Sequence, residues 1–236
     1  MDYLKSRLSN SSGGKILDVA TRRGGFVEDL IGAFKDYNSI IGIDISDEEF
    51  AKARDKYKDA RVEFMVMDAR KLTFAGNTFD TVAMANGLHH MEDITAALSE
   101  MKRVLKPGGV FIIYEVFSGH QNEKQLSDIL RHHFAIKIDR LKGEMHNFTL
   151  PRQEIIDYID ALKLSRYEAH DYHCTKCDPE SEDKMAMHIK DIDDSLAEIK
   201  GYPEYDELKL EAEKLKQRFR TVGYECATNL IIIGNK

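Results

Sequence analysis

Ile16-Leu17-Asp18-Val19-Ala20-Thr21-Arg22-Arg23-Gly24-Gly25-Phe26 is the stretch of sequence that decides the fold of this chain. Its first four residues suit a buried strand, its paired glycines suit a tight turn, and apolar residues at helical spacing follow. Such a turn points the backbone N–H groups of the new helix at a ligand above the strand end. Asp44 ends the next apolar run. Its separation from the turn along the sequence suits a carboxylate that accepts hydrogen bonds from a ribose. The pattern therefore predicts a nucleoside-containing cofactor.

Composition narrows the class of protein. The chain has 236 residues, of which 42% are hydrophobic and 32% charged, as expected for one soluble α/β domain with an elaboration. The net charge of -7 and the lack of a long Lys/Arg block make nucleic acid an unlikely partner. We find neither a signal-peptide-like start nor a membrane-spanning run, and predict a cytoplasmic protein without membrane contact. The three cysteines then indicate a reducing compartment and no disulfide framework.

Strand and helix patterns alternate along the first half of the chain. Residues 1–14 read as a flexible lead-in, Ser46 with Glu49 as a capping box, and Asp93 as a helix cap. Alternation of this kind predicts parallel strands with helices on both faces of the sheet. The predicted strands are about 15–20, 39–45, 62–67, 79–85 and from 110, with later ones at about 166–172 and 228–233.

The second half of the chain is less regular. We predict a single domain, 1–236, with a cofactor-binding half at 15–117, an insertion or cap at 118–150 and a helical hairpin at 179–222. Apolar residues in the hairpin recur in alternating steps of three and four, which is typical of two helices packed along a seam. The two helices could cover each other and a sheet edge, act as a substrate lid, or form a homodimer contact.

Four motifs together resemble the class I S-adenosylmethionine-dependent methyltransferases. They are Leu17 to Gly24, Asp44, Asp68, and the run from Phe79-Asp80 through Leu88-His89-His90 to Lys106-Pro107-Gly108-Gly109. The resemblance spans roughly residues 15–117 and is greatest to the small-molecule branch that includes ubiquinone and menaquinone biosynthesis C-methyltransferases. It implies a doubly wound, mostly parallel seven-stranded α/β sheet of the Rossmann-like type, whose last strand is antiparallel.

The resemblance also implies a role for each matched residue. The loop from Asp18 to Gly24 would pass the methionine portion of the cofactor, and Asp44 would bind both ribose hydroxyls. Asp68 would accept a hydrogen bond from the adenine amino group. The residues implied to bind S-adenosyl-L-methionine are Asp18, Ala20, Thr21, Arg22, Gly24, Asp44, Ile45, Asp68, Ala69, Asn86 and Gly87. A competing interpretation for Asp18 and Asp80 is that each only binds turn amides.

Arg22 departs from the family pattern, which has a small residue there. If its φ must be positive, the arginine is strained by about 1 kcal/mol. Its guanidinium could pair with the carboxylate of the cofactor, or it could fill the site and abolish cofactor binding.

The acceptor side of the site is predicted from the ends of the fourth and fifth strands. His89 and His90 could deprotonate an acceptor, although such pairs more often hold a loop through hydrogen bonds to the backbone. Methyl transfer needs mainly positioning and exclusion of water, so a clear catalytic set is not required. The candidate substrate residues are Tyr114, Glu115, His120 and His146.

A second cluster of polar residues comprises His170, His173, Cys174 and Cys177. These could bind zinc, but the segment is short for one tetrahedral ion, and we predict no metal site and ordinary surface thiols.

The predicted function is methyl transfer from S-adenosylmethionine to a small-molecule acceptor. The alternatives are a nicotinamide-dependent oxidoreductase, a methyltransferase acting on protein or RNA, and a non-catalytic partner-binding module.

Overall fold

A computed structural model describes residues 2–174 and 182–236 and divides the chain into two compact units. The first unit consists of the chain up to Glu115, Gln153–Tyr172 and Leu230–Lys236. The second consists of Val116–Arg152 and His173–Asn229. The second unit thus combines two sequence segments that we predicted as separate insertions, and the first residues of the predicted hairpin, 179–181, lie outside the described residues. The predicted domain bounds themselves stay a prediction.

Within the described residues seven strands form one sheet: β1 (Lys15–Val19), β2 (Ser39–Asp44), β3 (Val62–Val66), β4 (Phe79–Ala85), β5 (Leu105–Val116), β6 (Arg166–Tyr172) and β7 (Asn229–Asn235). Their order across the sheet is β3-β2-β1-β4-β5-β7-β6. Neighbouring strands from β3 to β5 pair in parallel. At the far side the N–H of Gly108 donates to the carbonyl of Lys236, at 2.9 Å, so the start of β5 lies beside the end of β7 and β7 runs antiparallel. The predicted seven-stranded, mostly parallel α/β sheet is therefore confirmed.

In the part of the chain that the structure describes, eight α-helices accompany the strands, and a short 3-10 helix follows β4. Apolar runs in β1, β4 and β7 are buried almost throughout, as expected for strands covered on both faces. In α4 the residues Ala97, Leu98, Met101 and Val104 form the buried stripe that their spacing predicts. The helices are α1 (Asp2–Leu8), α2 (Gly25–Ala33), α3 (Phe50–Lys56), α4 (Ile94–Val104), α5 (Glu123–Leu141), α6 (Arg152–Ala161), α7 (Glu182–Glu198) and α8 (Tyr205–Thr221), with the 3-10 helix at Leu88–His90.

The start of the chain differs from the sequence-based expectation. Residues 2–8 form helix α1 rather than a flexible lead-in. Leu4 and Leu8 are buried, and the helix packs against α2. Burial of these two leucines stabilises a short helix that its own sequence would hardly support.

The start of α3 is also different. The capping box expected from Ser46 and Glu49 is wrong, because Glu49 is itself the N-cap and makes no capping hydrogen bond. Its carboxylate instead pairs with the guanidinium of Arg23, across the gap between the first loop and α3. The cap predicted at Asp93 is confirmed, since its carboxylate accepts from the N–H of Ala96 at 2.9 Å.

The second unit is a helical assembly. Side chains of α5, α7 and α8 share one buried cluster that includes Phe134, Ile192, Ala212 and Phe219. The apolar residues that recur in steps of three and four in the hairpin therefore lie in a packed seam between α7 and α8. Helix α5 also contributes side chains to this seam. No helix among the described residues is both long and apolar enough to cross a membrane.

Candidate active site

The loop after β1 has unusual backbone conformation. Ala20, Arg22 and Gly24 have φ values of 58°, 45° and 71°, in the left-handed region that only glycine adopts without cost. The positive φ considered for Arg22 is thus present, and its side chain is exposed to solvent. A Cβ on Gly24 would lie 2.8 Å from the ring of Tyr57, so this position also requires glycine on steric grounds.

Asp18 is fully buried at the end of β1. One carboxylate oxygen, Oδ2, accepts a hydrogen bond from the hydroxyl of Thr21 at 2.6 Å. The other, Oδ1, is buried without a hydrogen-bond partner among residues 2–174 and 182–236. Burial raises the pKa of Asp18 to about 7, with the nearby carboxylate of Asp44 adding to the rise and the Thr21 hydrogen bond opposing it. The loop thus presents a buried acceptor atom that a cationic or donor group would satisfy.

Asp44 ends β2 beside this loop. Its Oδ2 accepts from the backbone N–H of Arg22 at 3.0 Å, and the N–H of Thr21 donates to the carbonyl of Ile43 at 2.9 Å. These two bonds join the first loop to the carboxyl end of the neighbouring strand. A carboxylate can accept about four hydrogen bonds, so Asp44 retains capacity for two hydroxyl groups. Ile45, the next residue, is 70% exposed, which is unusual for isoleucine and leaves an apolar surface beside Asp44.

Asp68 follows β3 and is held by an arginine that we did not predict. The guanidinium of Arg70 pairs with the Asp68 carboxylate, with Nη2 and Oδ2 at 2.9 Å, and also contacts Glu92. The pairing with Arg70 lowers the pKa of Asp68. The sequence signal for this pairing was the spacing of Asp68 and Arg70, which are two residues apart. The backbone N–H of Arg70 also donates a hydrogen bond to Oδ1 of Asp68, at 2.8 Å. Ala69, between them, is buried.

The end of β4 supplies the other side of the site. Asn86 has a φ of 47°, and its N–H donates to the carbonyl of Tyr114 on β5 at 2.7 Å. A Cβ on Gly87 would lie 2.7 Å from the Met84 side chain and 3.1 Å from the Cβ of Ala20. Gly87 and the first loop are therefore adjacent, as the predicted site requires.

His89 and Glu115 form a buried pair. Their side chains are only 2% and 1% exposed, and the Nδ1 atom of His89 is hydrogen bonded to Oε1 of Glu115. The other oxygen of Glu115 accepts from the N–H of Leu88 at 2.9 Å. Both oxygens of Glu115 are thus engaged by the turn after β4, so we propose that it positions His89 rather than contacting substrate. The ring of His90 lies 4.4 Å from that of His89.

Aromatic rings surround Tyr114 on β5. Its ring stacks at 6.3 Å from that of Phe26 and lies edge-on at 6.2 Å from that of Tyr172. The two remaining candidate substrate residues, His120 and His146, belong to the second unit. Phe26 and Tyr172 were missed as part of an aromatic group because they are far from Tyr114 in sequence.

The cluster considered for zinc is engaged elsewhere. The ring of His170 stacks on Tyr3 at 3.9 Å, and His173 Nδ1 is 3.0 Å from the hydroxyl oxygen of Thr228. Cys174 is a free thiol, and Cys177 lies outside the described residues. A further cysteine, Cys226, is disulfide-bonded, which the predicted reducing compartment did not anticipate.

Residues 17–113, less than half of the chain, match a family model described as "Methyltransferase domain". The predicted resemblance to methyltransferases is confirmed over these residues.

Relatives with a curated name match just under half of the chain. The ubiquinone/menaquinone biosynthesis C-methyltransferase UbiE of Geobacter sulfurreducens is 36% identical over 109 residues, covering 44% of this chain and 43% of that protein. The protein of the same name from Teredinibacter turnerae is 36% identical over 114 residues, covering 47% and 45%. The chain therefore matches less than half the length of these relatives.

Solved structures resemble the whole chain in fold. YcgJ from Bacillus subtilis has a TM-score of 0.61 at 16% identity, covering 99% of this chain and 96% of that one. Phosphoethanolamine N-methyltransferase 2 from Haemonchus contortus, in complex with S-adenosyl-L-methionine, has a TM-score of 0.60 at 20% identity, covering 99% and 51%.

Proposed function

We propose that this protein transfers a methyl group from S-adenosylmethionine to a small-molecule acceptor and releases S-adenosylhomocysteine. One observation carries the proposal: Asp18, Asp44 and Asp68 lie at the carboxyl ends of three adjacent parallel strands, and the backbone N–H of Arg22 in the first loop donates a hydrogen bond to Asp44. Ligands of open α/β sheets bind at this carboxyl edge. The similarity to two C-methyltransferases over just under half of the chain supports the assignment.

The residues at this edge fit the cofactor. The unpartnered Oδ1 of Asp18 suits an ammonium group, such as that of the methionine portion, because a buried carboxylate oxygen gains most from a charged donor. The remaining lone pairs of Asp44 suit the ribose hydroxyls, and exposed Ile45 offers an apolar surface for a base. Asp68, held in place by Arg70, suits the adenine amino group. When bound, the cofactor supplies an electrophilic methyl group on a sulfonium.

The chain would act mainly by positioning. Methyl transfer is an in-line displacement, for which a fixed geometry and exclusion of water supply most of the acceleration. Glu115 fixes the orientation of His89, and its contact with Nδ1 directs Nε2 away from the carboxylate. His89 is thereby a candidate base, and His90 a neighbour that shapes the same turn.

The acceptor is proposed to be small and partly apolar. The rings of Phe26, Tyr114 and Tyr172 form an aromatic group at the end of β5. A net charge of -7 does not favour RNA as the acceptor.

Calorimetric titration of S-adenosylmethionine and S-adenosylhomocysteine tests the cofactor site. We expect Asp44→Ala to weaken binding by about 1.5–3 kcal/mol, or roughly 10- to 150-fold, the range for hydrogen bonds to a charged group. Asp55→Ala, which removes an exposed carboxylate from α3, is the matched control and should bind as the wild type does.

An Arg22→Gly variant separates the two interpretations of that arginine. Absence of binding in folded wild-type protein, with none restored in Arg22→Gly, would overturn the proposed function. Binding that appears only in Arg22→Gly would show a site closed by the arginine. Acceptor screening is justified once wild-type binding is measured.

A further inference from the structure

The second unit has a group of histidines on α5 and on the loop that follows it. The rings of His132 and His146 lie edge to face with centroids 5.1 Å apart. A nitrogen of each ring lies within 4.8 Å of one on the other. His146 is buried and His132 half-buried, so both imidazoles are more shielded from water than exposed surface histidines are. Two imidazoles at this separation can share one metal ion after small rotations, because ligand nitrogens lie about 2.0–2.1 Å from zinc.

A carboxylate holds one of these rings in a fixed orientation. Asp139 Oδ2 lies 2.6 Å from His146 Nδ1, which places the proton on Nδ1 and the lone pair on Nε2. Histidines that bind metals commonly have such a carboxylate behind them, because it fixes the tautomer and raises the basicity of the ligand nitrogen. Asp139 and His132 are seven residues apart on α5, so they share one face of the helix.

The backbone of the loop is held as well. The guanidinium of Arg140 donates from Nε to the carbonyl of His146 at 2.6 Å and from Nη2 to the side chain of Asn147 at 3.2 Å. These bonds fix the position of His146 relative to α5. The neighbouring histidine, His133, has a different partner, since its Nε2 is 2.8 Å from the hydroxyl oxygen of Thr149.

We propose that His132 and His146 bind a divalent transition-metal ion, with Asp139 orienting His146. The nitrogen donors select zinc, nickel, copper or iron over magnesium and calcium, which prefer oxygen ligands. Two protein ligands leave coordination positions for water or another donor. The ion would link the loop containing His146 to α5. This site is distinct from the cluster of His170, His173 and Cys174 considered above, which has other contacts.

Zinc and cobalt titrations of the untagged full chain test the site. We expect one equivalent of Zn²⁺ to bind, and His132→Ala and His146→Ala each to weaken binding at least tenfold. Asp139→Asn should weaken it by about 10-fold or more, the usual effect of losing a carboxylate behind a metal ligand. His133→Ala is the matched control, because it removes an adjacent histidine of the same helix and should leave zinc affinity unchanged.

Three outcomes would overturn the proposal. The first is no Zn²⁺ binding by wild-type protein whose circular dichroism shows it to be folded. The second is an equal loss of affinity in His133→Ala. The third is a Co²⁺ complex with thiolate charge-transfer bands that disappear in Cys174→Ser, which would place the metal on cysteine. His132→Ala removes a half-buried side chain, so it keeps the test decisive if His146→Ala fails to fold.

Discussion

Asp18 couples the stability of the first unit to pH. An unfolded aspartate has a pKa of about 3.9, whereas burial raises that of folded Asp18 to about 7. Between these values the folded state binds more protons than the unfolded state. Its stabilising contribution is therefore complete below about pH 4 and is lost as the pH rises through about 7.

An Asp18→Asn variant should remove this dependence. Asparagine keeps an oxygen that can accept the hydrogen bond from Thr21 but cannot ionise. Urea unfolding at several pH values should show that the wild type loses stability relative to Asp18→Asn between about pH 4 and 7. Parallel curves for the two proteins would mean that Asp18 does not titrate in this range.

Glu115 is the second residue whose burial has a measurable consequence. Glu115→Ala leaves His89 and the N–H of Leu88 buried without their acceptor. We expect a loss of about 1–3 kcal/mol in the free energy of unfolding, the range for a buried polar group that loses its hydrogen-bond partner. Glu115→Gln, which keeps an acceptor for Leu88, should lose clearly less. Equal losses in chemical denaturation would indicate that the pair contributes only through packing.

Arg22 has a strained backbone with a simple remedy. Its φ of 45° costs an arginine about 1 kcal/mol, and Asp44 accepts from its backbone N–H, which glycine retains. Arg22→Gly should therefore raise the free energy of unfolding by about 1 kcal/mol. Arg23→Gly is the control, because Arg23 has no positive φ and pairs with Glu49, so it should not stabilise. Destabilisation by Arg22→Gly would mean that its exposed side chain makes a stabilising contact.

At the level of elements, sequence periodicity predicted the strands and helices whose positions follow from the burial of one apolar face. The ends of the first four strands and the cap at Asp93 follow from local signals. Tertiary packing decided the rest. Helix α1 depends on the burial of Leu4 and Leu8 against other elements, which no local pattern reveals.

The start of β5 shows why a turn signal misled. Lys106-Pro107-Gly108-Gly109 predicts a stop before a strand from residue 110, whereas β5 begins at Leu105. Pairing with β4 shifts register between Phe79 and Thr81, opposite Leu105 and Val110. The glycines thus lie in an irregular stretch of the β4–β5 pairing, where their flexibility permits the irregular backbone.

The residues of the candidate site could be predicted to the same extent as the strands and helices. Acidic residues at strand ends are visible in sequence because parallel strands bring their carboxyl ends to one edge. The pairing of Asp68 with Arg70 and of His89 with Glu115 depends on side-chain directions that periodicity does not give. The roles assigned to the site residues stay predictions until ligand binding is measured.

The packed seam of α5, α7 and α8 gives a prediction at the scale of elements. Phe219 is fully buried in this cluster, so Phe219→Ala should lower the free energy of unfolding by about 3–5 kcal/mol. Leu210, on the same helix, is 67% exposed, and Leu210→Ala should change it by no more than about 0.5 kcal/mol. A large effect of Leu210→Ala would indicate that this face is covered, as in the homodimer contact considered for the hairpin, and light scattering would then show the dimer.

At the scale of the whole molecule, the proposed cofactor residues and the proposed metal ligands belong to different units. The first unit is assembled from three chain segments and contains every proposed cofactor contact. The second contains the proposed metal site and the helical seam. Variants in one unit can therefore serve as controls for ligands of the other.

Ligand-induced stabilisation tests this division. At 100 times its Kd, S-adenosylhomocysteine should stabilise the folded protein by about 2.7 kcal/mol, which raises the unfolding temperature by several degrees. Asp44→Ala should reduce this rise, while His132→Ala should retain it, because only Asp44 is proposed to contact the cofactor. In scanning calorimetry with Zn²⁺, His132→Ala should reduce the rise in unfolding temperature, whereas Asp44→Ala should retain it. A variant that loses both responses while folded would show that the two sites are coupled, contrary to their separate assignment.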